Sequence, residues 1–186
     1  MAQYYYSDQQ IRTEDIVDGA VTMAKIADGE KYIFLPATSF VLDGASWETR
    51  GTTRLLKFPD GSDTYAYIVY KKPHDFQSGS TTNIKLLYTS DVTSGDMRIE
   101  LKSDHFNSND VISDTYRYGI LTTKSAPDTA YKLVVSEIPD DSINWLRGDY
   151  EYYSLRIGRL GTDSSDTATG SLLIYGIIIY YIGKVV

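Results

Sequence analysis

Only two histidines stand in the chain, and each has an aspartate beside it: Lys71-Lys72-Pro73-His74-Asp75-Phe76 and Ser103-Asp104-His105-Phe106. Serines are plentiful, so the inventory holds the parts of a Ser-His-Asp relay, in which an imidazole takes the serine proton and a carboxylate orients the imidazole. The local signature that presents such a serine, Gly-x-Ser-x-Gly on a sharp turn, is absent. Both histidines therefore read as surface loop residues. Asp163, Ser164, Ser165 and Asp166 offer oxygens to calcium, but not on the ligand ladder of an EF-hand loop. An Asp/Ser turn paired with Arg156 or Arg159 is the plainer reading. Asp140-Asp141 and Asp149 with Glu151 resemble the carboxylate pairs of glycosidases, whose separation decides the chemistry. Adjacent surface acids are far more often solvated loop residues. Trp47 and Trp145 on loops could stack on sugars, although aromatic side chains also simply fill β cores. Gly158-Arg159-Leu160-Gly161 is too short for a phosphate loop and precedes no helix. No catalytic residue, metal ligand or cofactor is assigned, and the chain is expected not to be an enzyme.

The elements that must position these residues follow from composition and period. A length of 186 residues, 42% of them hydrophobic, suits one domain with a real core. The net charge of -7 argues against a broad nucleic-acid surface, which needs clustered Lys and Arg. The absence of cysteine removes disulfide scaffolds, thiolate zinc sites and thiol nucleophiles. Seventeen tyrosines against five phenylalanines favour strands, whose pleated surfaces accept aromatic side chains. Residues 1–10 carry no secretory pattern. The apolar run Leu172 to Ile182 is too short for a spanning helix and rich in Ile and Tyr, so it reads as a buried strand. The chain is expected to be soluble, made without export, and free of membrane and nucleic acid.

After Glu30, apolar runs alternate with turn clusters, the spacing of an all-β sandwich or barrel. Eight to ten strands are expected: Tyr32–Leu35, Ser39–Leu42, Thr53–Phe58, Thr64–Lys71, Asn83–Tyr88, Asp96–Lys102, Thr115–Thr123, Tyr131–Ile138, Glu151–Leu160 and Gly170–Ile182. Within Asp96–Lys102, Met97, Ile99 and Leu101 alternate with Asp96, Arg98, Glu100 and Lys102, so the first set should face inward. No long helical pattern appears. The expected fold is a jelly-roll-like antiparallel β-sandwich over residues 31–186, preceded by an arm over residues 1–30.

The last strand is apolar on both faces. With strict alternation, Leu172, Ile174, Ile178 and Ile182 point one way, and Leu173, Tyr175, Ile177, Ile179 and Tyr181 the other. A sandwich strand buries one face, so the second needs a cover, from a loop of the same chain or from another subunit. Leu173, Tyr175, Ile177, Ile179 and Tyr181 are the subunit-interface candidates. In the arm, Ile16-Val17-Asp18-Gly19 returns as Ile26-Ala27-Asp28-Gly29. So short a segment cannot bury Ile11, Ile16, Val17, Val21, Met23 and Ile26 within itself, and isolated short helices are marginal in water. These six residues are expected to contact a partner: copies of the arm, a different protein, or the domain itself.

The arm, Ile16-Val-Asp-Gly-Ala-Val-Thr-Met-Ala-Lys-Ile-Ala-Asp-Gly-Glu30, resembles the repeat units of bacteriophage fibre proteins. The body, through Tyr67 to Ser90, Gly95 to Ser103 and Leu155 to Tyr181, is similar to small phage virion proteins with a jelly-roll head. The resemblance implies a homotrimer on a virus particle, assembled in the host cytoplasm. The arm would be its attachment end, on the major capsid protein or another virion protein. Fewer than two repeat units and no shaft favour a capsid cement, decoration or head-fibre protein. The alternative is the receptor- or glycan-binding head of a tail fibre, with a host glycan as partner.

Overall fold

A computed structural model describes residues 29–77, 82–110, 116, 118–138 and 150–184. Eleven strands are formed among the described residues: β1 (Gly29–Pro36), β2 (Val41–Asp43), β3 (Ser46–Arg50), β4 (Thr53–Phe58), β5 (Asp63–Lys71), β6 (Asn83–Ser90), β7 (Asp96–Phe106), β8 (Tyr118–Ser125), β9 (Val134–Ile138), β10 (Tyr152–Leu160) and β11 (Leu172–Gly183). One turn of 3-10 helix, Ala37–Ser39, follows Pro36. All named pairings are antiparallel. One sheet runs β3-β4-β11-β6-β9, with β1 also on β11, and the other runs β2-β5-β10-β7-β8. The chain is thus an all-β, jelly-roll-like sandwich. The arm over residues 1–30, with Ile11, Ile16, Val17, Val21, Met23 and Ile26, lies outside the described residues except at Gly29 and Glu30, which already belong to β1. Asp140, Asp141, Trp145 and Asp149 lie outside them too.

The core is the space between the sheets. Leu56, Phe58, Ile84, Leu86, Ile174, Ile177 and Ile179 from one sheet meet Met97, Ile99, Leu101, Leu155 and Ile157 from the other. Alternation in β7 holds as expected, with Met97, Ile99 and Leu101 buried in the core, and Ala66 and Ile68 of β5 are buried there with them. The strand missing from the sequence reading is β3, Ser-Trp-Glu-Thr-Arg, which has no apolar alternation and owes its place to pairing with β4. The expected strand over Ser39–Leu42 is shorter and later: it is β2, Val41–Asp43, paired with β5, and Ser39 belongs to the preceding 3-10 turn.

A buried ion pair closes one end of the sandwich. Arg159 on β10 is fully buried, with its Nε 2.9 Å from Asp166 Oδ2 and its Nη2 2.6 Å from Asp166 Oδ1. Its remaining donors reach the carbonyls of Phe58, Ala168 and Gly170. Asp166 also accepts from the Arg98 backbone N–H at 2.9 Å. A guanidinium can be dry only when its donors are satisfied, and here the 161–171 connection is wrapped around it.

Candidate functional site

His74 is exposed on a loop, as expected, but His105 is not a surface residue. It lies on β7, 1% exposed, with ring centroids 5.1 Å from Tyr118, 5.5 Å from Tyr150 and 4.7 Å from Tyr153. Strand β7 simply continues four residues beyond its alternating apolar part, carrying His105 inward. The Asp/Ser turn pairs with Arg159 through Asp166, and Asp163 Oδ1 accepts from the Ser165 N–H at 2.8 Å. The backbone bond from Ser165 holds the Asp163 carboxyl below its usual range.

The five interface candidates of β11 divide. The pairing of β11 with β6 shifts register between Ile174 and Gly176, a β-bulge at Tyr175. One extra residue reverses which side the following residues face. Ile177, Ile179 and Tyr181 therefore belong to the core rather than to an outer surface. Tyr181 packs on Phe76, at 6.1 Å between rings, and donates its hydroxyl to Asp75 Oδ1 at 3.2 Å. Burial, and then the Asp75 charge, push its phenol up to about 12. Asp75 is also paired with Lys31 of β1. The hydrogen bond from that ammonium holds the Asp75 carboxyl below the ordinary value. Leu173 and Tyr175 do lie on the other side. Leu173 is fully buried yet outside the core cluster, as is Leu55, so both have a cover of their own.

That other side, the outer face of the six-stranded sheet, is the candidate site. Register places Tyr32 beside Tyr180 and Phe34 beside Ile178, with Leu87 beside Val135. Tyr32 is 65% exposed, Val135 56% and Tyr175 40%. Phe34, Tyr131 and Leu133 are exposed as well. The Tyr32 and Tyr180 rings stand 6.1 Å apart. Gly176 is required beneath this surface: a Cβ there would lie 2.5 Å from the Phe34 ring and 2.8 Å from the Leu35 carbonyl oxygen.

The face has two ends. At one, β1 begins at Gly29, so the arm joins the domain beside Tyr32. At the other, beyond the bulge, a cavity of about 290 Å³ is lined by Arg50, Leu55, Thr89, Tyr131, Leu133 and Tyr175, among others. Tyr175 and Ile182 are seven residue steps apart along β11, about 23 Å at a strand's rise per residue. Tyr131 sits at a left-handed turn (φ 65°), its N–H donated to the Ser90 carbonyl at 2.7 Å. The Arg50 guanidinium lies 3.3 Å over the Tyr131 ring centroid, and its Nε is 3.2 Å from Glu48. Glu48 also takes Lys57 at 2.9 Å. Nothing in the sequence reading pointed to Arg50, Thr89 or Tyr131, because three separate segments bring them together.

No helix of the described residues is long and apolar enough to cross a membrane. No family model matches the chain, and no curated protein matches it. Solved structures do. An exo-β-1,3-galactanase from Phanerochaete chrysosporium aligns over 80% of this chain and 29% of its own, at 11% identity and a TM-score of 0.50. The isomalto-dextranase of Arthrobacter globiformis T6 aligns over 81% and 23%, at 16% identity and a TM-score of 0.50. The xylan-binding domain CBM22-1 of Paenibacillus barcinonensis Xyn10C aligns over 86% and 99%, at 9% identity and a TM-score of 0.48. The chain spans less than a third of the galactanase and the dextranase. At these identities the likeness is one of fold: the chain is built as a β-sandwich of the kind that carbohydrate-active proteins carry.

Proposed function

We propose that the chain is a structural subunit of a phage particle surface, anchored through residues 1–30 and packed against copies of itself at the arm end of the six-stranded sheet. The observation that carries this is an apolar band in which exposed Tyr32 and Phe34 flank half-buried Ile178 and Tyr180, set where the arm joins the domain. A contiguous apolar surface of this kind is rare on a monomer. Covering it with a symmetric copy would contribute about 25 cal/mol per Å² before ordering costs. Its charged neighbours, Lys85 and Glu137, pair with one another at 3.5 Å and form a polar rim. Sedimentation equilibrium on the full chain tests the assembly. A trimer that falls apart in Y32S/F34S supports it, and a monomeric wild type would sink it. Antibody labelling of phage particles tests the location, and labelling confined to unassembled protein would count against it.

A second reading, a glycan-binding head, is favoured by the cavity at the opposite end, where two tyrosines, an arginine and a threonine converge. It fits the carbohydrate-active proteins that share the fold. The readings differ in place: assembly uses the arm end, and recognition uses the far end.

A further inference from the structure

We infer that the Arg50–Thr89–Tyr131–Tyr175 cavity is a subsite for one neutral pyranose residue of a glycan. The inference rests on the glycan-binding reading and gives it a location and a ligand class. A pyranose has apolar C–H faces and an equator of hydroxyls, so its site needs aromatic or aliphatic walls and a few placed polar groups. The cavity, about 290 Å³, has Leu55 and Leu133 among its apolar walls, with Tyr131 and Tyr175 exposed beside them. Its polar groups are few and fixed. The Arg50 guanidinium sits over the Tyr131 ring, and its Nε is paired with Glu48. Thr89 is 6% exposed, and its Oγ1 has no hydrogen-bond partner. A buried hydroxyl without a partner is costly; it is covered in the free protein, and a turn of Thr89 about χ1 would bring it to the cavity, where a ligand hydroxyl supplies the partner. The ligand is neutral because Glu48 already stands 3.2 Å from Arg50. A sugar carboxylate approaching that guanidinium would meet a second carboxylate.

Titration calorimetry on the full chain tests this, with maltotriose, cellotriose, galactotriose and xylotriose as neutral probes and trigalacturonate as the acidic one. Saturable binding of at least one neutral probe is expected, with weaker or no binding of trigalacturonate. Y175A should weaken that binding about tenfold, the scale of one lost aromatic contact. T89V should weaken it about fivefold while leaving the melting temperature equal or higher, since it removes an unsatisfied hydroxyl. A hydroxyl with a purely structural role would instead lower the melting temperature and leave affinity alone. Binding of a neutral probe that both variants retain would overturn this site and leave the glycan-binding reading standing. No binding of any probe would overturn both, and preference for trigalacturonate would overturn the neutral class.

Discussion

The outer faces of the two sheets invert one another. On the five-stranded sheet the middle strands carry charge. Glu100 of β7 takes Arg156 of β10 at 2.7 Å and Lys102 at 2.8 Å, and the Arg156 guanidinium lies 4.3 Å over Tyr65 and 4.7 Å over Tyr116. Gly158 leaves room for the Tyr65 ring to lie against β10. The exposed apolar residues, Val41, Tyr67, Val69 and Leu121, lie on either side of this charged band. On the six-stranded sheet the middle strand is apolar throughout, and the charged pairs Lys85–Glu137 and Lys57–Glu48 flank it. A charged centre with apolar flanks is finished for water. An apolar centre with charged flanks has the anatomy of an interface, with an apolar core and a polar rim. In the assembly proposed above, the fold would present the five-stranded face to solvent and the six-stranded face to a partner.

The largest effect tests whether both faces stand on one rigid body. Arg159→Met leaves Asp166 buried without its cation and frees the 161–171 connection. A loss of about 3–5 kcal/mol in chemical denaturation is expected, together with loss of both assembly and sugar binding. Persistence of either would mean that the faces are independent. Next in size is Glu100→Gln, which leaves Arg156 and Lys102 facing each other. It should cost about 1–3 kcal/mol without altering the mass in solution. A change of oligomeric state would erase the contrast between the faces. The acid limb of stability is smaller. Asp75 has its carboxyl lowered, first by the hydrogen bond from Lys31, so it binds its proton more weakly folded than unfolded. Its contribution is full above the unfolded value of 3.8 and fades as pH falls through the lower folded value. Asp75→Asn should flatten the melting-temperature curve in that window. An unchanged acid limb would show that the β1 edge is not held by this pair. Smallest of all, Tyr67→Ser and Leu121→Ser on the five-stranded sheet should leave both mass and melting temperature nearly unchanged. A shift to lower mass would move the interface to the wrong face.

Much of this architecture is legible in residue order, because period-two alternation reports burial directly. Met97, Ile99 and Leu101 fell where alternation puts them. What alternation cannot convey is a change of phase. Ile177, Ile179 and Tyr181 were placed outside by strict period two and lie inside because of one bulged residue. His105 was placed on a loop because the polar residues after Lys102 hide the continuation of β7. The far-end cavity was not legible at all. Arg50, Thr89, Tyr131 and Tyr175 are far apart in the chain, and only the strand order brings them together.

The bulge at Tyr175 has a consequence for how the chain finds its fold. Ile178, Tyr180 and Ile182 would fill the core with side chains much like those of Ile177, Ile179 and Tyr181. A β11 slipped by one residue is thus a close competitor, not a grossly wrong state. Hydrophobicity alone barely separates the two pairings. The separation comes from Gly176, the one residue on which the Phe34 ring and the Leu35 carbonyl can close. Correct docking of β1 therefore proofreads the register of the final strand. A side chain at position 176 would strain the correct pairing against Phe34 and Leu35, and by lowering its stability would populate the slipped one.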